Sequence, residues 1–195
     1  TTPNASARVD ERVEVAGGRV ERRSLGALHE GIGEVQGAGK AKPDGEVEAE
    51  PTATVVFAGE PWKHIHPAFG GWIDGIVSAV VIAGLVADSG GIADLRAPVA
   101  ERPYRKVNVD CPNEDKLPVI TAVETSLPEA FPDASVDTEH GVRIDRPDGS
   151  WVLVRPSGTE PYIRLYAEAP DDVDELVARV TDIVREAVDR VVTRK

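Results

Sequence analysis

The sequence predicts an α/β unit followed by a small α+β unit whose antiparallel sheet carries its helices on one face. A short apolar run at residues 54–57, interpreted as a buried strand, precedes helical apolar spacing over residues 74–89 and indicates the first unit. The order strand, helix, three strands, helix over residues 104–192 indicates the second unit. Between them, residues 97–103 combine prolines with alternating charge, as linkers do. The predicted domains are therefore residues 1–101 and 102–195.

The first unit contains one well-marked helix. Asp74 is a suitable N-cap for the helix predicted over residues 74–89, and Gly90 with Gly91 should end it. Residues 33–54 hold several glycines and charged residues with little apolar periodicity, so they are predicted to form a loop.

The second unit has the clearer pattern. Residues 171–192 place apolar side chains on one continuous stripe, which predicts a long amphipathic helix. A helix over residues 116–127 tolerates Pro118 in its first turn and is expected to end at Pro128. The strands are predicted at residues 104–109, 141–145, 150–154 and 162–167.

The composition describes an acidic chain with enough apolar residues for a core. Its net charge is −12 and 41% of its 195 residues are hydrophobic, so nucleic acid and anionic membranes are not expected as partners. No apolar run approaches about 18 residues, the length of a membrane span, and no secretory leader is visible. The sole cysteine, Cys111, fits a reducing cytoplasm. The acidic excess favours a salt-adapted protein over an ordinary acidic one.

A cluster of hydrogen-bond donors stands between two predicted strands. Residues 155–161 read Arg-Pro-Ser-Gly-Thr-Glu-Pro, and a further arginine follows nearby. A phosphate dianion needs charge and convergent donors, which two guanidinium forks, two hydroxyls and a glycine N–H supply. The alternative is a tight turn whose arginines pair with surrounding carboxylates. The candidate phosphate ligands are Arg155, Ser157, Gly158, Thr159 and Arg164.

A second candidate loop, residues 59–64, follows the apolar run of the first unit. The carboxylate of Glu60 can accept from two adjacent sugar hydroxyls, Trp62 can stack on a sugar ring, and Lys63 can reach a phosphate. The candidate sugar-binding residues are Glu60, Trp62, Lys63 and His64. The alternative is a solvated Glu60 and a packed or surface His64. His64 and His66 have no third ligand at metal spacing, so no metal site is expected.

The string at residues 148–161, with Arg164, Tyr166 and Glu168 after it, resembles the C-terminal domain of the α-D-phosphohexomutase family. This family includes phosphoglucomutase, phosphomannomutase and phosphoglucosamine mutase. The resemblance implies that the loop holds the substrate phosphate that is not being transferred, with Arg164 as a helper and Glu160 as a brace.

The rest of the chain resembles the same family less closely. Residues 59–64 are similar to its sugar-binding loop, Gly-Glu-x-Ser-Gly-His, except that Trp62 and Lys63 replace Ser and Gly. Residues 15–21 resemble the middle of the family's third domain, where a helix leads through a Gly-Gly turn to a strand. The resemblance therefore implies an incomplete α/β third domain followed by the whole fourth domain.

Two family motifs do not occur in this sequence. These are the Ser-His-Asn-Pro type motif of the catalytic serine and the Asp-x-Asp-x-Asp-Arg motif of the Mg²⁺ site. The resemblance implies Mg²⁺ and a hexose bisphosphate intermediate for the complete enzyme, but neither a catalytic residue nor a cofactor site in this chain. Three interpretations remain: the C-terminal part of a mutase that needs an N-terminal half, a non-catalytic module that binds hexose phosphate, or a degenerate remnant.

Overall fold

The computed structural model describes residues 1–36, 53–60 and 63–193. The chain divides into two compact units, Thr1–Ala100 and Glu101–Lys195, which are described separately. Within the described residues, no helix combines the length and the apolarity needed to cross a membrane.

The first unit is mainly helical. A small core of Leu28, Ile32, Ala58 and Ile65 joins its second helix to a two-stranded antiparallel sheet. In that sheet Glu60 is the register partner of Lys63. The elements are α1 Ala7–Val15, α2 Leu28–Val35, β1 Ala58–Glu60, β2 Lys63–Ile65, α3 Gly75–Ser89 and α4 Ile92–Arg96.

Helix α3 confirms the predicted helix and both of its ends. Asp74 Oδ1 accepts hydrogen bonds from the backbone N–H groups of Ile76 and Val77, both at 2.9 Å. The helix stops at Gly90, whose φ of 86° is the left-handed conformation that favours glycine. Of the residues in α3 only Ser78 is buried, so most of the apolar surface of this helix faces solvent.

Three predictions for the first unit are wrong. Residues 54–57 form no strand, and Val56 is 81% exposed, because β2 pairs only as far back as Ala58 and no other described strand lies beside the apolar run. Residues 33–35 continue α2 instead of opening a loop, because Ile32 is buried in the small core. The Gly-Gly turn after α1 leads to an irregular segment rather than a strand. Residues 37–52 of the predicted loop lie outside the described residues.

The second unit is an antiparallel sheet with two helices packed on one face, as predicted. The strand order is β3-β7-β6-β5-β4, and every neighbouring pair is antiparallel. The elements are β3 Tyr104–Asp110, α5 Lys116–Ala130, β4 Ser135–Asp137, β5 Val142–Asp145, β6 Trp151–Pro156, β7 Tyr162–Glu168 and α6 Val173–Val192.

Two details of this unit differ from the prediction. Helix α5 continues past Pro128 to Ala130. Pro128 removes one N–H donor of the helix, but fully buried Leu127 and buried Phe131 anchor the last turn against the core. The Phe131 N–H then closes the helix by donating to the carbonyls of Leu127 and Pro128. The edge strand β4 was not predicted, since its three residues are exposed and show no apolar alternation.

The core of the second unit lies between the sheet and its helices. Alternate strand residues, including Val152, Val154, Ile163 and Leu165, pack against α5 and α6 and are fully buried. Successive side chains of a strand point to opposite faces, so the residues between them lie on the face away from the helices. That face carries Arg155 on β6 and Arg164 and Tyr166 on β7.

Candidate functional site

The loop between β6 and β7 is closed at its base by backbone hydrogen bonds. The Ser157 N–H donates to the Tyr162 carbonyl at 3.0 Å, and the Tyr162 N–H donates to the Glu160 carbonyl at 2.8 Å. Ser157 is buried, and its Oγ accepts from the Glu160 N–H at 3.2 Å. Gly158 and Thr159 are exposed at the tip, so their donors are available to a ligand.

Gly158 leaves open space at the tip of this loop. A Cβ added there would meet no atom within 4 Å, and the backbone of Gly158 does not have a positive φ. Neither crowding nor backbone strain within the described chain therefore requires a glycine at this position. The open space agrees with an approach of ligand atoms close to the backbone.

Two arginines lie side by side next to the loop. Arg155 and Arg164 are register partners on β6 and β7, which places both on the face away from the helices. Arg155 Nη2 donates to Tyr166 Oη at 3.5 Å, and Arg164 Nη2 donates to Tyr162 Oη at 3.3 Å. Each guanidinium also lies over the ring of its tyrosine, at 5.8 Å and 5.4 Å from the centroid.

Neither arginine pairs with a carboxylate within the described residues. The Nε atoms of Arg155 and Arg164 are buried and have no hydrogen-bond partner there. A buried donor without a partner is costly, and two adjacent positive charges repel each other. The alternative of a tight turn with carboxylate-paired arginines is therefore not what this part of the chain forms. The pair leaves positive charge and unused N–H groups beside the loop, as an anion requires.

Tyr166 reports the electrostatics of this face. Burial of its phenol raises the pKa, but the hydrogen bond and charge of Arg155, with those of Arg164, lower it by more. The net pKa of Tyr166 lies below the ordinary tyrosine value. The environment thus favours a negatively charged oxygen at this position.

Lys116 is a residue of the site that the sequence reasoning missed. It lies in the first turn of α5 and is buried, and its Nζ donates to the Ser157 carbonyl at 2.8 Å and to the Glu160 carbonyl. Glu160 braces the loop as expected, but through its backbone. The contact joins residues 41 positions apart, so only the fold brings them together.

The candidate sugar-binding residues lie in the first unit, where strands replace most of the predicted loop. Glu60 ends β1, Lys63 and His64 begin β2, and Trp62 lies outside the described residues. Lys63 Nζ pairs with Glu60 Oε1 at 2.7 Å, and the Glu60 side chain is only 7% exposed, so it is not the solvated carboxylate of the alternative interpretation. The His64 ring contacts Phe57 at a centroid distance of 5.5 Å.

No metal centre is found within the residues that the structure describes. They contain no group of three or more histidine, cysteine or acidic side chains placed to hold a metal ion. His66 instead makes a 2.9 Å contact through Nε2 with Ser78 Oγ. The described residues therefore do not provide a set of ligands that fits a bound Mg²⁺.

Comparison with known families identifies the second unit. Residues 107–187 match the family model described as the phosphoglucomutase/phosphomannomutase C-terminal domain. The matched range runs from β3 into α6 and includes the loop, both arginines and Lys116.

Two curated relatives align along nearly the whole chain. The phosphopentomutase of Thermococcus kodakarensis is 38% identical over 192 residues, covering 94% of this chain and 39% of the relative. A probable phosphoglucosamine mutase of Methanopyrus kandleri is 38% identical over 194 residues, covering 96% of this chain and 38% of the relative. The chain thus spans about two fifths of the length of these relatives.

Solved structures show the same fold. A phosphoglucomutase/phosphomannomutase family protein from Burkholderia thailandensis matches with a TM-score of 0.66 and 20% identity, covering 94% of this chain and 35% of the other. The open form of pp63/parafusin, a phosphoglucomutase from Paramecium, matches with a TM-score of 0.65 and 14% identity, covering 94% and 37%. At these identities the likeness establishes the fold alone.

The fold and the arginine-flanked loop define an α+β domain built on a five-stranded antiparallel sheet, with positive charge beside the loop between β6 and β7. The chain belongs to the α-D-phosphohexomutase family and corresponds to its C-terminal part, with residues 107–187 in the C-terminal domain.

Proposed function

We propose that this chain supplies phosphate and sugar binding to a phosphohexomutase, an intramolecular phosphotransferase that interconverts hexose 1-phosphate and hexose 6-phosphate. The observation that carries the proposal is the pair Arg155 and Arg164, which lie beside an open loop without a carboxylate partner in the described chain. In a chain of net charge −12, two adjacent arginines without a carboxylate partner form a locally positive surface that favours binding of a phosphate dianion.

Each loop residue has a defined task in this proposal. Arg155 and Arg164 hold two phosphate oxygens through their N–H groups, and the exposed Gly158 N–H and Thr159 hydroxyl donate from the tip. The Ser157 hydroxyl accepts from the Glu160 N–H and keeps its own hydrogen to donate to the phosphate. The bound phosphate is the group that stays on the sugar while the other is transferred.

The first unit contributes the sugar contacts in the same proposal. Glu60 accepts from sugar hydroxyls while Lys63, already paired with it, balances its charge. Trp62 and His64 complete the set through ring stacking and hydrogen bonding. Since one relative is a phosphopentomutase, the sugar can be a pentose instead of a hexose. In this proposal Trp62 and Lys63 determine which of the two sugars is preferred.

Phosphoryl transfer itself is assigned to an N-terminal half that carries the serine and Mg²⁺ motifs missing from this sequence. We assign no catalytic residue to this chain, because neither transfer motif occurs in its sequence. Mg²⁺ and a hexose bisphosphate intermediate belong to the complete enzyme in this proposal, which we place in the cytoplasm. The competing function is a module that binds hexose phosphate without turnover, because the chain contains the binding loop and neither transfer motif.

Calorimetric titration with glucose 6-phosphate tests the binding function. Wild-type chain is compared with Arg155→Ala and with Arg105→Ala, whose exposed side chain pairs with Asp174 on the helix side of the sheet. Loss of a charge-assisted phosphate ligand should weaken binding by about 2–3 kcal/mol in Arg155→Ala only. Equal affinity of all three proteins, or no binding by the wild type, contradicts the proposal. Adding the N-terminal half of a related mutase then separates a split enzyme from a binding module by whether turnover appears.

A further inference from the structure

Lys116 is an unusual group to find buried behind a loop. Its ammonium is nearly enclosed, and its partners in the described chain are two carbonyl oxygens, those of Ser157 and Glu160. No carboxylate of the described residues forms an ion pair with it. Burial of an ammonium without a negative partner is unfavourable, and carbonyl dipoles offset only part of that cost. The position therefore calls for a role beyond packing.

The hydrogen bond to Ser157 has a directional consequence. The peptide group that joins Ser157 to Gly158 is planar and trans, so its C=O and its N–H point in opposite directions. Because Lys116 holds the Ser157 carbonyl toward the interior, the Gly158 N–H must point away from Lys116. Gly158 is exposed, and no acceptor in the described chain receives its N–H, so this donor remains available to a ligand. The backbone of Gly158 is also uncrowded, because an added Cβ would meet nothing within 4 Å.

The charge of Lys116 also strengthens that donor. A cation bound to a peptide carbonyl polarises the whole amide and makes its N–H more positive. The same ammonium also donates to the Glu160 carbonyl. Lys116 therefore holds the residues on both sides of the loop tip, Ser157 and Glu160. The Cys111 N–H, which donates to the Pro161 carbonyl at 2.9 Å, adds a neutral contact at the residue after Glu160.

We infer that Lys116 is a positioning residue of the phosphate site, which orients and polarises the Gly158 N–H toward the phosphate without touching it. The inference rests on the proposed function, because it assigns a role within the same site. A purely structural lysine would hold the loop in place but would leave phosphate affinity to Arg155 and Arg164.

The test uses isotope-labelled 195-residue chain, titrated with inorganic phosphate and followed by the amide resonance of Gly158. The variants are Lys116→Met, Lys116→Arg and the matched charge control Arg105→Met. We expect a phosphate-dependent shift of the Gly158 amide in the wild type and in Arg105→Met. The apparent Kd should rise about tenfold in Lys116→Met, and Lys116→Arg, which keeps charge and donors, should recover most of the loss. Phosphate affinity in Lys116→Met within about twofold of the wild type overturns the inference.

Two further arms keep the outcomes separate. If the wild type shows no response to phosphate, the proposed function fails. Ligand-free spectra then decide whether Lys116 orients and polarises the Gly158 N–H. The carbonyl carbons of Ser157 and Glu160 and the Gly158 amide should shift in Lys116→Met, and unchanged resonances overturn the inference. If Lys116→Met does not fold, Lys116→Gln replaces it, since a carboxamide keeps N–H donors but removes the charge. Unreduced phosphate affinity in Lys116→Gln then excludes the polarising role.

Discussion

The indole N–H of Trp151 donates to Glu168 Oε1 at 3.3 Å, and both side chains are fully buried. The two residues are register partners on β6 and β7, on the sheet face away from the helices. The guanidinium of Arg143 lies 4.3 Å from the centroid of the Trp151 ring, which places positive charge against the π-system beside this hydrogen bond. The contact is a polar anchor within the same sheet face that carries the arginine pair.

Trp151→Phe should lower the free energy of unfolding by about 1–3 kcal/mol, because it removes a donor to a buried carboxylate and part of a buried ring. Urea denaturation followed by circular dichroism measures the change. Trp72→Phe is the matched control, since Trp72 is 63% exposed and should change stability little. Equal losses in the two variants would contradict the anchoring role of Trp151.

The pKa of Tyr166 should lie below the ordinary tyrosine value, because Arg155 and Arg164 favour its phenolate despite burial. Ultraviolet titration of the wild type against Tyr166→Phe isolates this transition. Arg155→Ala should move it to higher pH. The folded pKa lies below the unfolded value of about 10, so the stabilisation is fully present above that value and is lost as the pH falls through the folded pKa. If Arg155→Ala leaves the ionisation of Tyr166 at the same pH, the arginine pair does not lower the pKa of Tyr166.

The apolar surface of α3 should cause association of the isolated chain. Ile76 and Val80 are 80% and 67% exposed and lie one turn apart on the same side of the helix. We expect the apparent mass to rise with concentration in analytical ultracentrifugation, and the rise to diminish in Ile76→Lys/Val80→Lys. Leu117→Lys controls for charge at an equally exposed apolar residue of the other unit. A wild type that stays monomeric at the highest concentration rules this out.

Salt should stabilise the chain. Its net charge of −12 produces self-repulsion, which ions screen over about 10 Å at 0.1 M and only a few ångströms above 1 M. The midpoint of thermal unfolding should therefore rise by several degrees, on the order of 1 kcal/mol, between 0.1 M and 2 M KCl. Glycine betaine at equal osmolality controls for excluded solutes. If the midpoint of thermal unfolding stays constant or falls as KCl is raised, the chain is not salt-adapted.

Much of the second unit could be predicted because local pattern and fold agree there. The stripe of residues 171–192 defines α6, and the alternating residues of β6 and β7 fix the position of the loop between them. The predicted end of α5 at Pro128 was wrong, because the prediction relied on the low helix propensity of proline. The burial of Leu127 and Phe131 instead determines where α5 ends.

The site was predictable only as far as it is local in sequence. Arg155, Ser157, Gly158 and Thr159 lie within five consecutive residues, so their chemistry is visible in the sequence itself. Lys116 reaches the loop through the packing of α5 on the sheet, and no spacing rule in the sequence encodes that contact. The pairing of Glu60 with Lys63 was missed for a different reason, because the short strands β1 and β2 lack the apolar alternation that marks a hairpin.

The alternation along β6 and β7 has a consequence for how this protein can change. Val154 belongs to the packed interior, while its neighbour Arg155 lies on the opposite face in the proposed phosphate site, so the two adjacent positions are constrained by different requirements. Replacing Arg155 relieves repulsion with Arg164 and removes a buried donor without a partner, which should leave the fold as stable or more stable while binding is lost. The proposed binding function can thus be lost by a single substitution on one face of the sheet while the other face preserves the fold.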